Sequence, residues 1–366
     1  MHNDNALRAA IEAVAIPNSS LTVGSSHALQ AIEPTAGGLQ IELCFGFPVG
    51  HIADRLKQNI AAALAEAGCT QNVQTNIRSE ITARKVQPGV RTISGVKNII
   101  AVASGKGGVG KSTTAANLAV ALHNMGARVG ILDADLYGPS QPTMLGVPER
   151  KPQQENKHFI PVRSAEGIQV MSIGFLVDTD QAVVWRGPMV SQALQQLLFQ
   201  SEWDNVDYLF VDLPPGTGDV TISVAQLLPG AEILVVTTPQ TAAAEVAERT
   251  GLIAAQTHQK VVGVIENMSY MPQPDGSRLE IFGSGGGAIV SASLSETLGY
   301  EVPLLAQLPL DIRLREGSDT GCPAAVADDG KPAADAPAAL ELSAVAQRLT
   351  HRARGLAGKS LGVTPA

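Results

Sequence analysis

The chain has 366 residues, 45% hydrophobic and only 4% aromatic, which suits one large α/β core with a smaller domain and excludes a disordered chain. Its net charge of −8 supplies no global basic field, so neither nucleic acid nor an anionic membrane is an expected partner. Cys44, Cys69 and Cys322 stand far apart without paired spacing, no signal pattern opens the chain and no apolar run has bilayer length, so a cytoplasmic protein without a disulfide framework is expected.

Residues 1–85 read as a small α+β accessory domain. A helix over 5–14, a strand over 39–47, a second helix over 49–67 and a strand-rich return over 73–86 are too few elements for a nucleotide domain. Gln87-Pro88-Gly89-Val90 marks a linker, placed at 86–97. Over 98–350 apolar strands alternate with helices; the strands are predicted at 98–103, 128–132, 169–173, 208–212, 232–237, 261–267 and 303–307. Such alternation predicts an α/β domain with a mostly parallel sheet covered by helices on both faces. Ligands of such sheets bind outside the carboxyl ends of the strands. Residues 324–339, rich in Ala, Asp and Pro, read as a surface connection, and 351–366 as a flexible basic tail.

Gly105-Lys106-Gly107-Gly108-Val109-Gly110-Lys111-Ser112 lies between the first of these strands and an Ala/Leu/Val-rich helix over 112–125, the context of a phosphate-binding loop. Its glycines let successive N–H groups turn toward phosphate oxygens, and the helix start adds partial positive charge. Lys111 is expected on the β and γ phosphates and the Ser112 hydroxyl on Mg²⁺. A second lysine in the loop, Lys106, is superfluous if Lys111 serves the same nucleotide; spacing alone leaves it open to be a solvated surface lysine.

Asp133-Ala134-Asp135 closes the strand over 128–132, so two carboxylates point the same way. One suits Mg²⁺ through water and the other suits orienting an attacking water. Tyr208-Leu209-Phe210-Val211-Asp212 is an apolar strand ending in a carboxylate, which places Asp212 in the Mg²⁺ shell. Leu213-Pro214-Pro215-Gly216-Thr217-Gly218-Asp219 follows, a stiff yet glycine-opened segment suited to switching with the γ-phosphate.

The run from Lys106 through Thr113 resembles the deviant Walker A loop of the MinD/ParA/nitrogenase-iron-protein class. Within that class the chain looks like the Mrp/ApbC-type iron–sulfur cluster carriers. The strings carrying the likeness are Asp133-Ala134-Asp135-Leu136-Tyr137-Gly138-Pro139-Ser140-Gln141-Pro142, Trp185-Arg186-Gly187-Pro188-Met189, the segment Asp212–Asp219, Glu266-Asn267-Met268, Phe282-Gly283, Pro309-Leu310-Asp311 and Arg315-Glu316. The resemblance implies a P-loop ATPase using ATP and Mg²⁺, in which Lys106 reaches the partner's nucleotide in a sandwich homodimer. It also implies that Asp135 orients the hydrolytic water, that Asn267 contacts the adenine, and that a [4Fe–4S] cluster is delivered to apoprotein recipients. Residues 1–85 resemble the accessory domain these carriers often have.

The sequence departs from that pattern at one place. The carriers usually hold their cluster with a Cys-x-x-Cys pair shortly after the Glu-Asn-Met string, and a dimer then completes four thiolates. Here the stretch is Ser269-Tyr270-Met271-Pro272-Gln273-Pro274-Asp275-Gly276-Ser277, without cysteine, and Asp275-Gly276 reads as a tight turn. The cluster ligands are therefore unassigned. An alternative function stays open, an ATP-dependent regulatory or assembly switch that docks a protein partner without a cluster. A spatial-organising ATPase on membrane or DNA fits poorly: the helical stretch over 340–353 lacks Phe and Trp, and the basic residues of the tail are few.

Overall fold

Runs of Val, Ile, Leu and Ala five residues long cannot leave one face to water, and in this chain they do not. The computed structural model describes residues 2–83, 92–135, 138–176, 187–216, 219–228, 230–240, 244–257, 259–325 and 336–351. Outside them lie the linker string Gln87-Pro88-Gly89-Val90, Leu136 and Tyr137, Trp185 and Arg186, Thr217 and Gly218, and the tail with Arg352, Arg354 and Lys359. Met1–Thr82 with Asn124–Ala127 form one compact unit, and the other described residues form a second.

The first unit contains α1 (His2–Ala13), β1 (Leu29–Thr35), β2 (Gly38–Phe45), α2 (Ala53–Glu66) and β3 (Val73–Ser79). Along β2, Leu39, Ile41, Leu43 and Phe45 are buried while Gln40, Glu42 and Cys44 are half-buried, the period-two signature of a sheet with one covered face. β1 pairs antiparallel and β3 parallel with β2. In α2, Leu56, Ile60 and Leu64 recur every fourth residue and form its buried stripe. The helix predicted over 49–67 begins as a 3₁₀ turn, Gly50–Ile52, before the α-helix. β1 was not anticipated; it is a sheet-edge strand carrying Glu33 and Pro34, residues that edges tolerate and that hide the strand pattern.

The second unit contains, in chain order, β4 (Ile99–Ala103), α3 (Lys111–Asn124), β5 (Val129–Asp133), α4 (Gln141–Met144), β6 (Gln153–Glu155), β7 (His158–Ile160), β8 (Val162–Arg163) and β9 (Gln169–Ser172). Then come α5 (Gly187–Phe199), β10 (Tyr208–Asp212), α6 (Asp219–Gln226), β11 (Glu232–Thr237), α7 (Ala244–Thr257), β12 (Lys260–Pro272), β13 (Arg278–Leu279), α8 (Gly286–Leu298), β14 (Leu304–Pro309), α9 (Ile312–Thr320) and α10 (Pro337–His351). The sheet order is β13-β12-β11-β4-β10-β5-β9-β8, with β14 on β12. Every pairing among β4, β5, β9, β10, β11, β12 and β14 is parallel; only β8 and β13 run antiparallel to their neighbours. Each residue of β4, β5 and β10 is buried, as strands covered on both faces must be. α3 is buried almost all round, and its many alanines allow that close approach.

Several strand ends differ from the sequence reading. β12 runs on to Pro272 rather than ending at Asn267, because its last residues pair with β13. The hairpin β6–β7 went unpredicted: its turn residues, Asn156 and Lys157, have φ of 49° and 70°, and its strands lack a buried face. Residues 93–97, expected within the linker, belong to the fold. Ile93 is buried in the core, and the Val206 N–H donates to the Gly95 carbonyl at 2.7 Å while the Lys97 N–H donates to the Val206 carbonyl at 2.9 Å. Among the described residues no helix is long and apolar enough to cross a membrane.

Asp207, at the entrance of β10, ties three strand starts together. Its buried carboxylate accepts from Lys97 Nζ at 2.8 Å, from the Arg128 backbone N–H at 3.0 Å, and from Arg128 Nε and Nη2 at 3.0 and 2.9 Å. Burial alone would raise its pKa, but the Arg128 and Lys97 bonds outweigh that and hold it below the usual 3.8. Its stabilisation is thus present above pH 3.8 and lost as pH falls through the lower folded value. Asp207→Asn should cost about 2–3 kcal/mol at neutral pH in urea unfolding, toward the low side for a buried pair because both cations can rehydrate. The variant should also lose less stability than the parent below about pH 4.

Candidate functional site

The loop Gly105–Gly110 leaves the carboxyl end of β4 and enters α3 at Lys111. Gly108 and Gly110 hold φ of 78° and 82°, values that favour glycine. A Cβ built on Gly107 or Gly108 would meet nothing within 4 Å, so the loop borders open space. That space is a cavity of about 210 Å³ lined by Ser104, Lys106 to Thr113, Asp135, Ser140, Met144 and Pro215. Lys111, the loop glycines, Val109, Ser112, Thr113 and Asp135 thus meet in one place with the backbone of Lys106 at its rim, Gly105 opening the same turn.

Beneath the loop, nearly buried Lys111 puts its ammonium on Asp212 Oδ1 and within 3.4 Å of Ser112 Oγ. Asp212 is fully buried at the end of β10, level with Asp133 on the adjacent β5. Its other oxygen accepts from Gln141 Nε2 at 2.8 Å, and the same nitrogen donates to the Ser112 carbonyl at 3.0 Å. Asp133 also serves the backbone. Its Oδ2 accepts from the Ser140 and Gln141 N–H groups at 2.8 and 3.0 Å, and its Oδ1 from the Asp135 N–H at 3.1 Å. Burial and then the Asp212 charge push Asp133 up to about 7, against those three backbone donors. Asp133 therefore fastens the chain that follows β5, while Asp135 faces the cavity.

Ser112 Oγ and the Asp212 carboxylate are hard oxygen donors of the kind Mg²⁺ takes. The buried Gln141 Oε1 and Ser140 Oγ beside them have no hydrogen-bond partner among the described residues. This donor set fits a hydrated divalent cation carried in with a polyphosphate. Lys106 is placed apart, its ammonium on Gln240 Oε1 at 2.8 Å at the exposed side of the loop. Behind Pro215, the Leu213 and Gly216 N–H groups donate to the Val102 and Ser104 carbonyls at 3.1 and 2.9 Å, fixing that segment to the end of β4.

A second cavity, about 410 Å³, adjoins the first through Gly110, Thr113 and Met144 and is lined also by Asn267, Met268, Pro309, Asp311, Arg315 and Leu342. Asn267 Nδ2 donates to the Val109 carbonyl at 2.9 Å, so this side chain braces the loop from the cavity wall. Met268 has φ of 58° at a break in the β12–β14 register. Glu266 is buried, accepting from the Gly287 N–H at 2.5 Å and from Gln307 Nε2 at 2.8 Å, and so caps the start of α8. Gln141 and Glu266 stand inside the longer strings of the sequence, but no local spacing assigns either a task. Their partners lie far along the chain, where no local pattern reaches.

The stretch without cysteine forms the hairpin from β12 to β13. Met271 pairs with Leu279, Gly276 turns at φ of 83°, and the Arg278 guanidinium stacks 4.2 Å from the Tyr270 ring centre. All three cysteines are free, and among the described residues no group of three His, Cys, Asp or Glu is arranged to hold a metal.

Gly110→Ala tests the loop. The added methyl would come within 2.2 Å of Asn267 Nδ2 at a φ that side chains avoid. The variant should lose nucleotide binding by more than about a hundredfold in calorimetric titration while keeping its far-ultraviolet circular dichroism.

Residues 95–348 match the family model described as ParA, NUBPL iron-transfer P-loop NTPase. The iron-sulfur cluster carrier protein of Mycobacterium leprae is 51% identical over 347 residues, spanning 91% of this chain and 88% of that one. Among solved structures, the nucleotide-binding protein of Archaeoglobus fulgidus in complex with ADP is 38% identical with a TM-score of 0.54, covering 63% of this chain and 88% of that one. The septum site-determining protein MinD of Pyrococcus horikoshii, complexed with Mg-ADP, shares the fold at a TM-score of 0.52 and 23% identity, covering 71% and 97%. The phosphate loop, both acidic strand ends and the Asn267 cavity all fall inside the matched residues, and the chain belongs to the NUBPL iron-transfer P-loop NTPases of the ParA family.

Proposed function

We propose that this protein is an ATP-hydrolysing iron–sulfur cluster carrier that acts as a homodimer in the cytoplasm and hands clusters to apoproteins. The observation that carries the ATPase reading is the buried Lys111–Asp212 pair under an open glycine loop. The carrier reading rests on the likeness, over most of both chains, to the Mycobacterium leprae carrier protein.

In this reading phosphate oxygens draw the Lys111 ammonium away from Asp212, and the loop amides hold the polyphosphate by hydrogen bonds. Ser112 and Asp212 would hold the magnesium ion, which would neutralise charge on the β and γ phosphates. Asp135, on the cavity wall, orients the attacking water and takes up its proton. Asn267, bracing Val109 beside the larger cavity, is placed to meet an adenine edge with its amide. Lys106 points outward, which suits contact with the nucleotide of a second copy.

The hairpin that follows Asn267 offers no thiolate, so its residues do not fit a four-cysteine cluster site, and cargo ligation falls to other groups. A specific observation favours a second reading, an ATP-dependent docking switch without a cluster. Around that hairpin Met271, Leu279, Ile281 and Phe282 are 43, 51, 49 and 38% exposed, an apolar surface suited to a protein partner.

Lys111→Ala should lower ATP turnover at least about a hundredfold. Lys106→Ala should leave ADP affinity of the monomer within about twofold but abolish ATP-dependent dimerisation in sedimentation velocity; an unchanged dimer would remove Lys106 from the interface.

Anaerobic reconstitution with iron and sulfide separates the two functional readings. About four iron and four sulfide per dimer, lost in one of Cys44→Ser, Cys69→Ser or Cys322→Ser, is the carrier outcome. Background iron with intact ATP turnover would leave the docking switch.

A further inference from the structure

Gln141 opens α4 and is fully buried. Three contacts make it the hub of the site. Its backbone N–H donates to Asp133 Oδ2 at 3.0 Å. Its side-chain nitrogen donates to Asp212 Oδ2 at 2.8 Å and to the Ser112 carbonyl at 3.0 Å. One residue thus links the end of β5, the end of β10 and the first turn of α3, elements 29 and 71 residues away in sequence on the Ser112 and Asp212 sides.

The fourth observation is the unsatisfied atom. Gln141 Oε1 is buried without a hydrogen-bond partner among the described residues, although a buried amide oxygen ordinarily finds a donor. A residue whose only task was packing α4 against the sheet would be served as well by leucine, without leaving a desolvated acceptor. The amide's orientation is fixed by its two acceptors, so its oxygen is held in place beside the Lys111–Asp212 pair.

We propose that Gln141 is a positioning residue for the carboxylate that binds magnesium, an inference that rests on the ATP and Mg²⁺ reading above. By occupying Asp212 Oδ2, the amide prevents the carboxylate from rotating and presents Oδ1, the oxygen now facing Lys111, to the ion once Lys111 moves to phosphate. The unpartnered Oε1 would be free to accept from water brought in with the ion. Groups that orient a metal ligand in this way commonly change metal affinity by about tenfold to a hundredfold when removed. Loss of the Gln141 amide should therefore act mainly on the magnesium-dependent part of nucleotide binding, since its side chain bonds Asp212 and the Ser112 carbonyl but none of the loop N–H groups.

The test is calorimetric titration of the full chain with ADP, with and without Mg²⁺, for the parent, Gln141→Leu and the unbranched Gln141→Met. Both variants should lose about tenfold of the tightening that Mg²⁺ gives, with magnesium-free ADP affinity within about twofold of the parent. An undiminished magnesium effect would overturn the proposal, as would an equal fall with and without the ion. If Gln141→Leu fails to fold, Gln141→Met carries the measurement; unfolding of both, seen by circular dichroism, would make Gln141 structural and also overturn it. A parent chain that binds no ADP under either condition would instead overturn the nucleotide reading, and this inference with it.

Discussion

Lys111 carries its charge into the interior, and Asp212 at the end of β10 receives it there while Asp133 stands level on the neighbouring strand. Isolating any one of these charges from water would be costly, so the three constrain one another. One ammonium faces two carboxylates in a buried place, and burial first, then the Asp212 charge, raises Asp133 to about 7. In the proposed function, a nucleotide that draws Lys111 away makes the imbalance worse unless a divalent cation arrives with it. The same pair fixes the first turn of α3 against the sheet, so loop geometry and metal chemistry share one anchor.

The strand β12 extends that anchor outward. Along an extended chain neighbouring side chains face opposite ways, and Glu266 and Asn267 use both directions. Glu266 grips the start of α8 through Gly287, while Asn267 grips the phosphate loop through Val109. Met268 then turns left-handed, and the chain continues into the hairpin with its exposed apolar residues. The side chain that braces the loop, part of the cavity wall and the start of the exposed hairpin therefore lie on one continuous strand.

The hairpin also shows how a shared scaffold accommodates a different surface. Where related carriers are expected to place two thiols, this chain has Tyr270, Met271 and a turn through Asp275 and Gly276, closed by the Arg278–Tyr270 stack. That contact and the strand pairing hold the segment as a hairpin.

The sequence by itself determined the phosphate loop, because closely spaced glycines and a lysine entering a helix are a local requirement of anion binding. It likewise determined the parallel α/β class, since uninterrupted apolar strands demand cover on both faces, and β10 and β11 were placed to the residue. The carboxylates Asp133, Asp135 and Asp212 were legible as strand ends, but their division of labour was not. Asp133 and Asp135 look alike in sequence, and only folding brings the Ser140 and Gln141 amides to one of them and open cavity to the other. Gln141 was invisible as a site residue because its side-chain partners are 29 and 71 residues away. The edge strand β1 and the exposed hairpin β6–β7 escaped notice because neither buries enough apolar surface to write a period into the chain. Local spacing encodes backbone geometry, whereas the pairing of buried polar groups is decided by which strand ends the tertiary fold sets side by side.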